Sequence, residues 1–153
     1  MTSSFSLVTR TPHSAENLFD LSLDVDAHVG SMEGSRERAI AGVTAGPIAL
    51  GESVTWRARH FGVWFRLTST ITALDRPRRF VDEQTRGPFR SFRHEHIFRE
   101  TADGGAVMID EITLASPVFG RLAERFVLVP YLRRLIAKRN AFLVAQLNSG
   151  SGS

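Results

Sequence analysis

The stretch that decides the architecture is residues 53–73, SVTWRARHFGVWFRLTSTITA. Apolar and polar residues alternate on both sides of His60-Phe61-Gly62, which interrupts the pattern. A period of two places successive side chains on opposite faces of a strand, and a glycine between two such runs is typical of a hairpin turn. The stretch therefore predicts two antiparallel strands.

Turn-forming residues separate further alternating segments on both sides of this hairpin. After it, three more strands are predicted at residues 79–85, 89–99 and 106–115. Before it, a strand at 5–9 leads into a helix at 15–23 and a second short helix within 24–35. Short connections between consecutive strands are typical of a meander. We therefore expect an antiparallel sheet of about seven strands, with two short helices after the first strand.

The chain then changes to the period of a helix. Ser116 is a favoured N-cap residue, and Pro117 suits the first helical position. Pro130 removes a backbone donor inside the run, so we expect a kink or break there. The break would divide a lid over the cavity mouth, 118–129, from a main segment, 131–147; a static kink is the alternative. The apolar stripe consists of Phe119, Leu122, Phe126, Val129, Leu132, Ile136, Leu143 and Leu147.

Together these segments predict an α+β fold, in which a curved antiparallel sheet wraps around a long C-terminal helix. The composition is that of one globular domain: 153 residues, 42% hydrophobic and 23% charged. We expect a single domain over residues 1–147 and a flexible tail over 148–153. One helix cannot fill the concave face of so large a sheet, so a ligand-sized cavity should remain between them.

The motifs resemble a known superfamily. They are Gly87-Pro-Phe89, Phe92-Arg-His-Glu-His-Ile-Phe98, Met108-Ile-Asp110 and Ser116-Pro117. In this order, ahead of a terminal helix, they resemble the START-related helix-grip superfamily, specifically its bacterial polyketide cyclase/dehydrase-like branch. The resemblance spans about 5–147. It implies the helix-grip fold and a ligand cavity, since members bind lipids, hormones or polyketides and many are not enzymes.

Charge and cysteine content exclude several classes of function. The net charge is +3, and cysteine is absent, so disulfides, thiolate chemistry and cysteine zinc sites are excluded. No basic leader or uninterrupted apolar span is visible, which predicts a cytoplasmic protein with no integral membrane segment. The arginine groups lack interleaved aromatic residues, so we interpret them as solvated faces and expect no nucleic-acid partner. They are Arg76, Arg78, Arg79, and Arg133, Arg134, Lys138, Arg139.

Two histidines are the main candidates for chemistry. Strand alternation puts His94 and His96 on one face with Phe92 and Phe98, which should be the inner face. Asp82 and Asp110 lie on the inward faces of neighbouring strands and are candidate partners. Such a pair could be a self-satisfied core contact, a ligand contact or, least favoured, a metal site; an aspartate orienting a histidine base would suit proton abstraction beside a carbonyl. A register error of one residue would place Asp110 outside.

The same alternation defines a candidate cavity wall, and we expect neither a metal nor a cofactor. The predicted ligand contacts are Trp56, His60, Phe65, Leu67, Gln84, Phe92, Phe98, Met108, Phe119, Leu122 and Phe126.

Three functions are compatible with these features. The favoured one is binding of a hydrophobic small molecule, such as a lipid, polyketide or aromatic metabolite. The first alternative is a polyketide cyclase or dehydratase with a histidine base. The second is a protein-interaction module, in which Val127, Leu128 and Leu135 lie off the helix stripe and form a dimer seam. The expected state is a monomer or weak homodimer.

Overall fold

The computed structural model of the protein describes residues 2–116 and 121–150. Its strands are β1 (Ser3–Thr11), β2 (Arg38–Gly42), β3 (Ser53–His60), β4 (Val63–Asp75), β5 (Arg79–Arg86), β6 (Ser91–Glu100) and β7 (Ala106–Ala115). Its helices are α1 (Ala15–Ser22), α2 (Val25–Ser31), α3 (Arg121–Ala123) and α4 (Val129–Gly150), with a 3₁₀ turn at Glu33–Ser35 and a π-helical turn at Glu124–Leu128.

All seven strands form one sheet in the order β1-β7-β6-β5-β4-β3-β2, and every neighbouring pair is antiparallel. The predicted sheet, the two short helices after its first strand and the long C-terminal helix are confirmed. One strand was not predicted individually: β2 is short and mostly exposed, and its pairing with β3 shifts register between Ala39 and Ala41.

Polar N-caps begin both short helices. The Ser14 hydroxyl accepts a hydrogen bond from the backbone N–H of Asn17 at 3.2 Å, and Asp24 accepts one from Ala27 at 2.9 Å. In α1 the apolar side is fully buried, and the Phe19 ring packs edge-on against Phe80 and Phe98 with centroids 5.5 and 5.2 Å apart. Helix α1 thus fills one end of the sheet, so the space left for a ligand lies elsewhere.

The π-helical turn changes which side chains the C-terminal helix buries. Pro130 has no N–H to donate to the carbonyl of Phe126, and a wider turn at Glu124–Leu128 precedes it. The extra residue rotates everything before it relative to α4, so the predicted stripe does not continue. Leu122 and Phe126 are 72% and 66% exposed, whereas Leu128 is 9% exposed.

Within α4 the expected stripe is present, since Leu132, Ile136 and Leu143 are buried against the sheet. The helix runs to Gly150, three residues beyond the predicted end of the domain. Among the described helices, none combines the length and the apolar character needed to cross a bilayer.

Candidate functional site

A cavity of about 270 Å³ lies between the inner face of the sheet and α4. Its wall is mainly apolar, with side chains from β3, β4, β5, β6, α2 and α4. Eight of the predicted site residues line it: Trp56, His60, Phe65, Leu67, Asp82, Phe92, His94 and His96.

Three predicted contacts lie elsewhere on the inner face. The Gln84 amide donates to the Phe89 carbonyl at 2.7 Å and accepts from the Phe89 N–H at 3.2 Å, so it fastens the β5–β6 connection. Phe98 and Met108 are 3% and 0% exposed in the core beneath α1, and they do not line the cavity. Alternation identified their face correctly, but α1 already occupies that end of the sheet.

The described helix contacts were assigned to the wrong face. Leu122 and Phe126 point to solvent, and Phe119 lies outside the described residues. Leu128 and Leu135, predicted as parts of a dimer seam, line the cavity instead, whereas Val127 is 55% exposed.

The two histidines and two aspartates meet in one cluster. Across the strands, His94 is paired with Asp82 and His96 with Asp110, but the hydrogen bonds run diagonally. His94 Nε2 is 2.7 Å from Asp110 Oδ1, and His96 Nε2 is 2.7 Å from Asp82 Oδ2. The imidazole rings stack with centroids 3.7 Å apart. The ring of Phe80 lies 4.0 Å from the other side of His96.

Helix α4 completes this cluster with two residues that the sequence prediction missed. Asn140 Nδ2 donates to Asp110 Oδ2 at 2.7 Å and to Thr9 Oγ1 at 3.1 Å. Arg139 Nη1 donates to Asn140 Oδ1 at 3.1 Å and lies 3.4 Å from Asp110 Oδ1. The interpretation of Arg139 as part of a solvated face is wrong, because it is 3% exposed and lines the cavity.

A sequence signal for both residues exists. Both residues lie between Ile136 and Leu143, and each is three or four positions from these two buried residues. They therefore lie on the buried stripe of α4, where a charged residue needs an internal partner.

Electrostatics keep the carboxylates of the cluster ionised and His94 neutral. Burial alone would raise the pKa of Asp110, but the hydrogen bond from His94, the contact with His96 and the charge of Arg139 hold it well below its ordinary value. Burial lowers the pKa of His94 to about 4, and His96 acts in the same direction against the opposing effect of Asp110. An ionised carboxylate only accepts, so the proton of neutral His94 resides on Nε2.

His94 Nδ1 then carries a lone pair and makes no hydrogen bond to any described residue. The guanidinium of Arg139 also keeps donors, because only Nη1 is engaged within the described part of the chain. Both side chains line the cavity. The inner end of the cavity thus offers one proton acceptor and one cationic donor.

A second polar group lies at the cavity mouth. His60 Nδ1 is 2.5 Å from the Tyr131 hydroxyl, which joins the end of β3 to the start of α4. Burial lowers the pKa of His60 and raises that of Tyr131, so both are neutral near pH 7. His28 stacks on Trp56 with centroids 4.3 Å apart and contacts Glu37 at 3.1 Å. All five side chains line the cavity.

Asp82, His94 and His96 are the described group with metal-ligand chemistry, since one candidate ligand atom from each lies within 4.8 Å of the others. The two imidazole planes are only 21° apart. Nitrogen lone pairs lie in the ring plane, so stacked rings direct them nearly parallel rather than toward one point. This arrangement suits hydrogen bonding to the carboxylates better than coordination of an ion.

Comparison with solved structures identifies the class of fold. Zhui aromatase/cyclase from Streptomyces sp. R1128 matches with a TM-score of 0.76 at 11% identity, covering 95% of this chain and 93% of that chain. A START superfamily protein from Mycobacterium smegmatis matches with a TM-score of 0.72 at 13% identity, covering 94% and 98%. Ginseng major latex-like protein 151 from Panax ginseng matches with a TM-score of 0.66 at 13% identity, covering 95% of this chain and 97% of that chain.

The protein therefore has the fold of the START-related helix-grip superfamily, and the resemblance inferred from the sequence is confirmed at the level of the fold. No protein-family model matches the sequence, and no curated protein matches it.

Proposed function

We propose that the protein binds a compact, ring-containing apolar molecule with at least one oxygen acceptor, in the cavity between the sheet and α4. The observation that carries this proposal is an apolar cavity with polar groups gathered at two places. Structures that match this fold include a START superfamily protein and an aromatase/cyclase, which supports a ligand-binding role.

Size and lining favour a ring system over a long lipid. The cavity volume of about 270 Å³ is close to the lower limit of roughly 300 Å³ for pockets that hold drug-sized ligands. Much of the wall is aromatic, and aromatic faces and edges pack well against planar rings. At the inner end, Arg139 is placed to donate to a ligand oxygen, while the apolar wall contacts the rings.

Displacement of 1-anilinonaphthalene-8-sulfonate by bicyclic ketones such as 2-tetralone tests this proposal. Ala58 is 4% exposed and lines the cavity, so Ala58→Leu should weaken dye binding by about tenfold or more through overlap with the ligand. Arg59→Leu, on the opposite face of the same strand, adds the same side chain outside the cavity and should bind normally. Absence of dye binding by the unmodified protein would contradict the proposal.

A second function, catalysis of proton transfer, is favoured by one specific observation. Neutral His94 lines the cavity and is held through Nε2 by Asp110, which leaves the lone pair of Nδ1 without a hydrogen bond to any described residue. In such a reaction Nδ1 would take a proton from a carbon beside a ligand carbonyl. The C–H electron pair would form an enolate, whose oxygen Arg139 would stabilise before a proton returns to carbon.

Deuterium exchange of the α-protons of 2-tetralone in D₂O, followed by NMR, separates the two functions. His94→Gln should abolish protein-dependent exchange while changing 2-tetralone affinity by less than about threefold, since the glutamine keeps polar atoms in the wall. Because the base must be unprotonated, the exchange rate should rise with pH through about 4 and then become constant. Binding of 2-tetralone without deuterium exchange would support ligand binding and contradict catalysis of proton transfer.

A further inference from the structure

We propose that the rim of the cavity mouth docks on the surface of an anionic lipid bilayer. The inference rests on a group of exposed apolar side chains, named here the mouth patch: Phe61, Val63, Leu122, Phe126 and Val127. Their exposed fractions are 61%, 53%, 72%, 66% and 55%. Isolated exposed apolar residues are ordinary on protein surfaces, but a group that borders a cavity opening marks an interaction surface.

One contact places the hairpin tip that carries Phe61 and Val63 beside the helical segment that carries the other members of the mouth patch. Phe61 and Tyr131 both line the cavity, and their rings pack with centroids 4.5 Å apart. Tyr131 follows Val127 by about one helical turn, so the tip of the β3–β4 hairpin lies beside the start of the helical segment. Leu128, next to Val127, also lines the cavity.

The conformation of the hairpin tip keeps Phe61 exposed. Phe61 and Gly62 form the two-residue turn between His60 and Val63, and both have positive φ, at 53° and 76°. Glycine adopts this backbone freely, whereas a phenylalanine is strained there. The contact with Tyr131 covers only part of the ring, and a strained aromatic residue that stays 61% exposed at a tip is suited to insertion into an apolar phase.

The charge around the mouth patch decides between possible partners. Residues 53–74 contain three arginines and no acid. In 121–150 the only acid is Glu124, which is 6% exposed. Arg59, Arg125 and Arg134 are exposed, and Arg125 lies 5.6 Å from the ring of Phe126. The carboxylate of Glu37 lines the cavity and contacts His28.

Apolar side chains surrounded by arginines match the interface of an anionic bilayer, where rings and aliphatic chains enter the acyl boundary and cations meet the headgroups. A second copy of the chain fits poorly, because this surface would place arginines against arginines, and residues 53–74 and 122–150 offer no exposed acid to pair with them. In the docked protein the cavity mouth would face the acyl chains of the bilayer, where an apolar ligand is more soluble than in water.

Co-sedimentation with vesicles tests the proposal. The unmodified protein should bind phosphatidylglycerol–phosphatidylcholine vesicles at least tenfold more tightly than phosphatidylcholine vesicles at low salt, and added salt should weaken binding. Each arginine near an anionic surface raises vesicle affinity by about fivefold. The double variant Arg125→Gln with Arg134→Gln should therefore bind anionic vesicles about 25-fold more weakly. Leu122→Ser with Phe126→Ser should cost about tenfold or more through lost apolar burial.

Matched controls lie on β1, where Val8 is 59% exposed and Arg10 is also exposed. Val8→Ser and Arg10→Gln should bind vesicles normally. The proposal is overturned if anionic vesicles do not bind, or if the patch and control variants lose equal affinity. It is also overturned if sedimentation velocity shows self-association that the patch variants abolish, which would assign this surface to a second copy. Dye binding in the cavity is independent of each of these outcomes.

Discussion

Histidines and acidic residues lie at both the inner end of the cavity and its mouth, but they are buried in a bonded cluster at the inner end and make single contacts at the mouth. At the inner end, His94, His96 and Asp110 are 7%, 2% and 0% exposed, and β5, β6, β7 and α4 each contribute a hydrogen-bonding partner. At the mouth, single contacts join His60 to Tyr131 and His28 to Glu37, and Phe61 beside them is largely exposed. A buried polar cluster fixes geometry, whereas single contacts at an open rim can separate at low cost.

The largest expected effect is the loss of Asp110. Asp110→Ala leaves the Arg139 guanidinium, the Asn140 amide and His94 Nε2 without their shared acceptor in a buried place. Removing one partner of a buried charged cluster typically costs about 3–5 kcal/mol in free energy of unfolding. At the mouth, Glu37→Ala removes one partly exposed contact and should cost about 1 kcal/mol or less. Urea denaturation of both variants measures the contrast, and equal losses would contradict it.

The second prediction is a loss of stability on mild acidification. Because the pKa of His94 falls from 6.5 to about 4 on folding, the unfolded chain binds more protons between these values. Stability is therefore complete above pH 6.5 and falls by up to about 3 kcal/mol as the pH approaches 4. The lowered pKa of His60 acts in the same direction.

Urea denaturation between pH 7 and pH 4.5 measures this dependence while Asp82 and Asp110 remain ionised. His94→Gln should remove most of the slope, and His60→Gln a smaller part of it. A slope that is unchanged in His94→Gln would mean that another group is responsible.

These differences also explain what the sequence could predict. Alternation of period two and strong turns identified most strands, and β2 was missed because its five residues are mostly exposed and show no alternation. The same alternation placed His94, His96, Asp82 and Asp110 on one face. It could not distinguish Phe92, which lines the cavity, from Phe98, which packs under α1, because depth along a strand depends on what covers it.

The helical part of the site was harder to predict. Charged residues on helices are usually solvated, so Arg139 was grouped with its exposed neighbours although its position on the stripe of α4 indicated burial. The π-helical turn depends on how the chain accommodates Pro130 and is invisible to a search for a constant period. The turn rotates the residues before it and leaves Leu122 exposed, whereas Leu128, four residues before Leu132, stays on the buried stripe of α4.

The third prediction concerns the contact that closes the mouth. Tyr131→Phe removes only the hydroxyl that contacts His60, so it should reduce the free energy of unfolding by about 1 kcal/mol. If this contact restricts the opening, dye should also dissociate several-fold faster in stopped-flow measurements, with little change in the number of sites. Tyr131 lies in the cavity wall, so a control is needed that alters the wall without altering the mouth contact, and Phe92→Leu, on β6, provides it. Equal dissociation rates in Tyr131→Phe and the unmodified protein would show that the mouth is not restricted there.

The smallest expected effect tests the helical register directly. If the segment before Pro130 continued the stripe of α4 without a π-helical turn, Leu122 would face the sheet and Leu122→Ala would cost at least about 2 kcal/mol. In the structure Leu122 is 72% exposed and Leu128 is 9% exposed. We therefore expect Leu122→Ala to change the free energy of unfolding by less than about 0.5 kcal/mol, and Leu128→Ala to cost about 2 kcal/mol. Both variants remove the same atoms from the same helical segment, so helix propensity changes equally and only burial separates them. Urea denaturation of the pair gives the answer: a loss for Leu122→Ala as large as that for Leu128→Ala would restore the uninterrupted stripe and remove Leu122 from the mouth patch.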